Sequence, residues 1–126
     1  MREKLELEYT LKSSPKLLFP RLSTPEGLTE WFAEKVTADK DLFSFSWDKS
    51  ESHARLSAIK ENKFVRFEWA DRGEEEANYF EFRINIDDIT GDLALIITDF
   101  CSPEERDDIT NLWDTQVIEL KRILGT

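Results

Sequence analysis

The chain has 126 residues, 40% of them hydrophobic and 12% aromatic, enough for one core without disulfides or metals and too apolar for a disordered chain. Seventeen lysines and arginines stand against 27 aspartates and glutamates, a formal net charge of −10. Such a chain repels phosphate backbones and anionic membranes, which excludes nucleic acid as a partner, and no run of about 18 apolar residues suggests membrane insertion.

Cys101 is the only cysteine, so no internal disulfide forms, and its place after an apolar run suits packing better than nucleophilic chemistry. Met1 to Lys4 leads directly into alternating apolar and charged residues, unlike a signal or transit peptide, so a cytoplasmic location is expected. With no repeat, low-complexity tract or linker, one domain spanning 1–126 is expected.

Leu5, Leu7, Tyr9 and Leu11 alternate with charged or hydroxyl residues, the period of a half-buried strand. A short helix is expected from Lys16 to Leu22, burying Leu17, Leu18 and Leu22, with a kink or broken turn at Pro20, because proline there removes a hydrogen bond and clashes with the preceding turn. Thr24 as cap, Pro25 in the first position and Glu26 in the first turn start a second helix that runs to about Phe32 and buries Leu28, Trp31 and Phe32.

From Lys35 the pattern becomes a strand meander. Val36 to Ala38 is a weak edge strand, and Phe43, Phe45 and Trp47 alternate with polar residues. His53 to Ile59 follows, then a turn at Asn62 and Lys63, then Val65, Phe67 and Trp69 in alternation. Residues Asp71 to Glu76 read as a solvated acidic loop, a surface that could also dock a basic partner. Phe80 to Ile86 and Leu93 to Phe100 are the last strands, divided by a turn at Thr90, Gly91 and Asp92. Asp87 to Asp92 lacks the ligand spacing of a calcium loop. The last strand is apolar in both phases, which suggests cover on both faces and a possible homodimer through the outer one.

Ser102 to Gly125 reads as one long helix. Ser102 and Glu105 form a capping box around Pro103, Lys121 and Arg122 suit the last turn, and Gly125 stops it. Ile109, Leu112, Trp113, Val117, Leu120, Ile123 and Leu124 make one apolar stripe. The fold class is therefore α+β: a curved antiparallel sheet, in the order β-α-α-β-meander-α, gripping a long C-terminal helix.

Thr24 to Phe32 (TPEGLTEWF) and Asn111 to Lys121 (NLWDTQVIELK) carry a resemblance to the START-like, or SRPBCC, helix-grip superfamily. The branch they resemble is that of the heat-shock-chaperone ATPase activator homologues. The resemblance implies the fold over the whole chain. It also implies a choice of functions, because the superfamily includes lipid carriers, cyclases, stress-response regulators and co-chaperones.

His53 is the only histidine; this excludes two-histidine metal sites, and no nucleophile motif stands beside it. It reads as a surface strand residue, so neither a catalytic residue, a metal nor a cofactor is assigned. The expected function is a non-enzymatic binding module holding a small hydrophobic or amphipathic ligand between sheet and helix. The expected lining is Phe45, Trp47, Phe67, Trp69, Phe82, Trp113 and Val117, with Trp31 near the entrance. The alternative is a protein-interaction or co-chaperone-like domain with a solid core, no ligand, and a chaperone or other protein partner. Arg55, Arg66, Glu68, Glu81 and Arg83 fall in the opposite phase and are expected to form a charged ladder on the outer face.

Overall fold

The computed structural model describes residues 2–70 and 78–125; the acidic loop expected at Asp71 to Glu76 lies outside them. Strand β1 (Glu3–Leu11) is followed by α1 (Pro15–Ser23), α2 (Pro25–Thr29), and strands β2 (Lys35–Asp39), β3 (Leu42–Trp47), β4 (Ser50–Lys60), β5 (Phe64–Trp69), β6 (Tyr79–Ile86) and β7 (Leu93–Cys101). A 3-10 turn, Pro103–Glu105, then leads into α3 (Arg106–Leu124). One seven-stranded antiparallel sheet runs in the order β1-β7-β6-β5-β4-β3-β2. The first strand thus pairs with the last, a closure across about ninety residues that the meander alone does not provide. A register shift between Leu56 and Ala58 interrupts the β4–β5 ladder, the kind of bulge that increases local twist.

Alternation assigns the two faces. Leu5, Phe43, Phe45, Val65, Phe67, Phe80, Phe82, Leu95 and Ile97 are buried on the inner face, against Trp113, Val117 and Leu120 of α3. Three hydrogen bonds fasten the helix on different sides. Tyr9 Oη donates to Asp114 at 2.6 Å, Trp113 Nε1 to Asp99 at 2.9 Å, and Gln116 Nε2 to the Phe32 carbonyl at 2.9 Å. Burial, with Asp114 alongside, pushes the Tyr9 phenol above its usual range, so it remains a donor to that carboxylate.

The helix ends follow the chemistry of their residues. Glu105 Oε1 accepts from both the backbone N–H and the hydroxyl of Ser102, and Gly125 adopts φ 79° at the C-terminal end. The first turn, expected as α-helix, winds as 3-10 instead, a common tightening where the first N–H groups lack helical partners. Leu112 and Leu17, expected in apolar contacts, are 54% and 59% exposed.

The expected break at Pro20 does not occur: α1 runs through it to Ser23. Pro20 is exposed, and its carbonyl accepts from both the N–H and the hydroxyl of Thr24, so the helix end is stitched directly to the cap of α2. That second helix stops at Thr29, short of the expected Phe32, and the N–H groups of Trp31, Phe32 and Ala33 all turn back on the Leu28 carbonyl.

The outer face carries the expected ladder in altered form. Glu81, only 6% exposed, is held by Arg66 at 2.9 Å and Arg83 at 3.3 Å, while Arg55 pairs with Asp41 instead of Glu68. Arg66 lies over the Tyr79 ring and Arg83 over Phe64. Ala94 and Thr98 of β7 are buried on this face, flanked by Glu81, Asn85, Glu6 and Thr10 in register, so neighbouring strands supply much of their cover.

Candidate ligand cleft

Where the first turns of α3 pass over the ends of β3, β4 and β5, the grip stays open. A cleft of about 380 Å³ lies there, near the lower end of the roughly 300–1,000 Å³ usual for small-molecule sites. Ile109, Leu112, Trp113 and Gln116 come from α3, and Trp47, Ser52 and Trp69 from the sheet; Phe32 and Asp99 complete the lining. A second, more open depression of about 310 Å³ lies alongside and includes Trp31, Glu30, Glu34 and Glu119. Phe32, Trp47 and Gln116 border both.

The partition between the two is a hydrogen-bonded knot. The Phe32 carbonyl accepts from Trp47 Nε1 at 3.0 Å and from Gln116 Nε2 at 2.9 Å, joining the segment after α2 to β3 and α3. The Phe32 ring points the other way, into the core. It stacks on Trp113 and Phe80 with centroids 5.6 and 5.3 Å apart and meets Phe45 edge-on at 5.2 Å.

The eight residues expected from the sequence to line the ligand separate by depth. Trp47, Trp69 and Trp113 border the larger cleft. Phe45, Phe67, Phe82 and Val117 lie beneath it, at most 1% exposed, with Phe45 and Phe67 in edge-on contact and Phe82 edge-on to Trp113. Trp31 borders the second depression, its indole N–H donating to the Arg21 carbonyl at 2.7 Å. Sequence reasoning missed Phe32, Ser52, Asp99, Ile109, Leu112 and Gln116 as cleft residues. For Asp99 a signal existed: it continues the inward phase of Leu93, Leu95 and Ile97, where a carboxylate has little reason to stand for packing alone.

Among the described residues, Asp99 is the ionisable one on the larger cleft. Its Oδ2 accepts from Trp113 Nε1 and its Oδ1 from the Phe100 N–H. Cys101 is 2% exposed, and burial raises its thiol pKa, so it stays protonated near neutrality and packs as a small apolar group. His53 occupies the outer phase of β4, opposite Ser44, away from the cleft. Asp87 accepts from the N–H groups of Ile89 and Thr90, and these bonds lower its pKa; the acidic hexapeptide is a turn closing β6 onto β7. Among the described residues no helix is long and apolar enough to cross a membrane.

A curved sheet closed by a terminal helix, with an aromatic cleft at one end of the seam, defines a helix-grip protein. The chain belongs to the START-like superfamily, whose domain model matches residues 1–126. It is 42% identical to BfR322 from Bacteroides fragilis, known from a solution NMR structure, with a TM-score of 0.68 over 97% of this chain and 90% of that one. The Aha1 dimer from Colwellia psychrerythraea has a TM-score of 0.80 at 15% identity, covering 97% and 96% of the two chains. The protein MLL2253 from Mesorhizobium loti has a TM-score of 0.76 at 19% identity, covering 98% and 97%. No curated protein sequence matches the chain.

Proposed function

We propose that this protein is a non-enzymatic carrier or sensor that holds a small apolar or amphipathic molecule in the cleft between α3 and the sheet. One observation carries the reading: Trp47, Trp69 and Trp113 converge on a single open cleft whose rim includes the 54%-exposed Leu112. Trp47 and Trp69 are left half-buried at the opening over the buried Trp113, and rings left at an opening are available to a ligand. START-like domains commonly bind hydrophobic ligands, which supports the same reading. The solid packing beneath limits the ligand to the mouth of the grip, since Phe45, Phe67 and Phe82 leave no space for a deep chamber.

Native mass spectrometry of the purified protein, followed by solvent extraction, tests this. A bound small molecule is expected, and Trp69→Ala should weaken its retention at least tenfold, a loss of about 1.4 kcal/mol. A protein that carries nothing and gains no thermal stability from a panel of fatty acids, sterols and aromatic compounds would remove the reading.

A second reading, self-association through the outer sheet face, has its own support. The Colwellia structure is of a dimer, and Tyr79, Ile96 and Phe100 here are only half-buried. Glu6 and Glu8 lie on one side of β7, Arg66 and Arg83 on the other. A twofold axis parallel to β7 would set the acidic strand of each copy over the basic strands of its mate. Light scattering at tens of micromolar should then give twice the monomer mass; a monomer mass would sink the pairing.

A further inference from the structure

We infer that β1 is a self-pairing edge: two copies of the chain join antiparallel along it, about a twofold axis at Leu5, into one continuous sheet. This surface differs from the outer sheet face, and the pairing does not depend on what the cleft holds.

The sheet ends in β1 on one side and β2 on the other. The β2 edge is shielded, because the Thr29 hydroxyl at the end of α2 accepts from the Val36 N–H at 3.1 Å. Cover of that kind keeps an edge from pairing with another chain. The β1 edge is nine residues long, with β7 on its other side. A strand of that length can add to a matching strand through its backbone N–H and C=O groups.

The charges along β1 are ordered by sign. On its outer phase Arg2 and Lys4 come first, then Glu6 and Glu8. An antiparallel pairing that sets Leu5 against Leu5 of the second copy puts Lys4 opposite Glu6 and Arg2 opposite Glu8. The twofold repeats both contacts, so every charge on this phase meets its opposite. Neighbouring registers fail. With the axis at Lys4 that lysine faces itself, at Glu6 the glutamate faces itself, and at Leu7 each Glu6 faces a Glu8. A slip of one residue turns the apolar phase of one copy toward the charged phase of the other. One register is thus selected, and its twofold closes the assembly at a dimer.

The groups concerned are within reach of a second copy. The Lys4 and Glu6 side chains, 4.0 Å apart along the strand, are 58% and 60% exposed, and Glu8 is exposed. Arg2 spends one Nη on the Phe100 carbonyl at 3.1 Å, and its guanidinium has further donors. Leu5 is already buried within the single chain, so apolar contact at the axis adds little. Backbone hydrogen bonds and charge hold the pair, which makes it sensitive to salt.

Sedimentation of the full chain at tens to hundreds of micromolar should show a monomer–dimer equilibrium that NaCl shifts toward monomer. Arg2→Glu with Lys4→Glu makes the outer phase wholly acidic and should weaken the dimer about tenfold or more. Glu6→Lys with Glu8→Lys makes it wholly basic and should do the same. Mixed together, the two variants should form a heterodimer of at least the parent affinity, with β1 amides protected from hydrogen exchange in the mixture alone. Pairing through the outer face uses Glu6 and Glu8 but neither Arg2 nor Lys4, so that dimer would survive the first variant. A parent that stays monomeric, a dimer indifferent to the first variant, or variants that remain apart when mixed overturns the edge assignment. Should a variant fail to fold, the parent's own β1 amides serve: their protection should rise with protein concentration, and protection independent of concentration overturns the pairing equally.

Discussion

Replacing Gly27 by alanine should destabilise the fold by about 3 kcal/mol or more, an effect out of proportion to one methyl group. A Cβ built on Gly27 would lie 2.2 Å from the Pro20 carbonyl oxygen and 2.5 Å from the Arg21 Cα. Both are backbone atoms, so no side-chain rotation relieves the overlap, and α1 and α2 must part. Helix propensity pulls the other way, because alanine is favoured over glycine by about 1 kcal/mol inside a helix. The steric term is larger and decides the sign. Parting the helices also moves the Arg21 carbonyl away from the Trp31 indole, now 2.7 Å distant, so the loss of stability should come with a changed Trp31 indole N–H signal. Urea unfolding and the NMR spectrum together check this. A variant as stable as the parent would mean that the helices do not approach so closely.

Most of the fold was legible because strand and helix periods report which face a side chain takes. The alternation of Phe43, Phe45 and Trp47, and of Val65, Phe67 and Trp69, puts each ring on the inner face, and the structure has them there. The stripe on α3 likewise gave Trp113, Val117 and Leu120, all buried. Period says nothing about depth. Phe45 and Trp47 share a phase, as do Phe67 and Trp69, yet two residues along a strand span about 6.6 Å. Over that distance a ring passes from beneath the helix to the open mouth. The separation of lining from core therefore depends on where α3 lies over the sheet, which no strand carries in its own sequence.

The same limit explains the smaller departures. Leu17 was expected to be buried with Leu18 and Leu22, but α1 turns Leu18, Phe19 and Leu22 inward and leaves Leu17 exposed. The outer-face ladder was legible in its residues and partly in its pairing. Arg66 and Glu81 meet in register, whereas Arg55 pairs with Asp41 from the turn between β2 and β3, although Glu68 stands opposite it in register. Phe32 was legible as buried; its place at the centre of the grip was not, because it follows the end of α2 in a segment with no period.

Phe32→Ala should cost about 4 kcal/mol, since it deletes a buried ring at the meeting point of both short helices, the sheet and α3. For a chain of this length that amounts to a fall in Tm of roughly 15 °C. The ring stacks on Trp113 and Phe80, meets Phe45, Trp47 and Phe82 edge-on, and packs against Trp31. The carbonyl that binds Trp47 and Gln116 belongs to the backbone and survives the substitution, so the knot persists while the space behind it empties. That space would be apolar, about the size of the lost ring, and continuous with the 380 Å³ cleft. Apolar cavities of this kind remain dry and take up benzene. Benzene should therefore raise the Tm of the variant, by mass action on the folded state, and leave the parent protein nearly unchanged. A loss below about 1 kcal/mol, or a variant indifferent to benzene, would show that the neighbouring rings collapse into the gap. In that case Phe32 is one packing residue among many, and the aromatic ring that now fills the grip does not set the depth to which a ligand can enter.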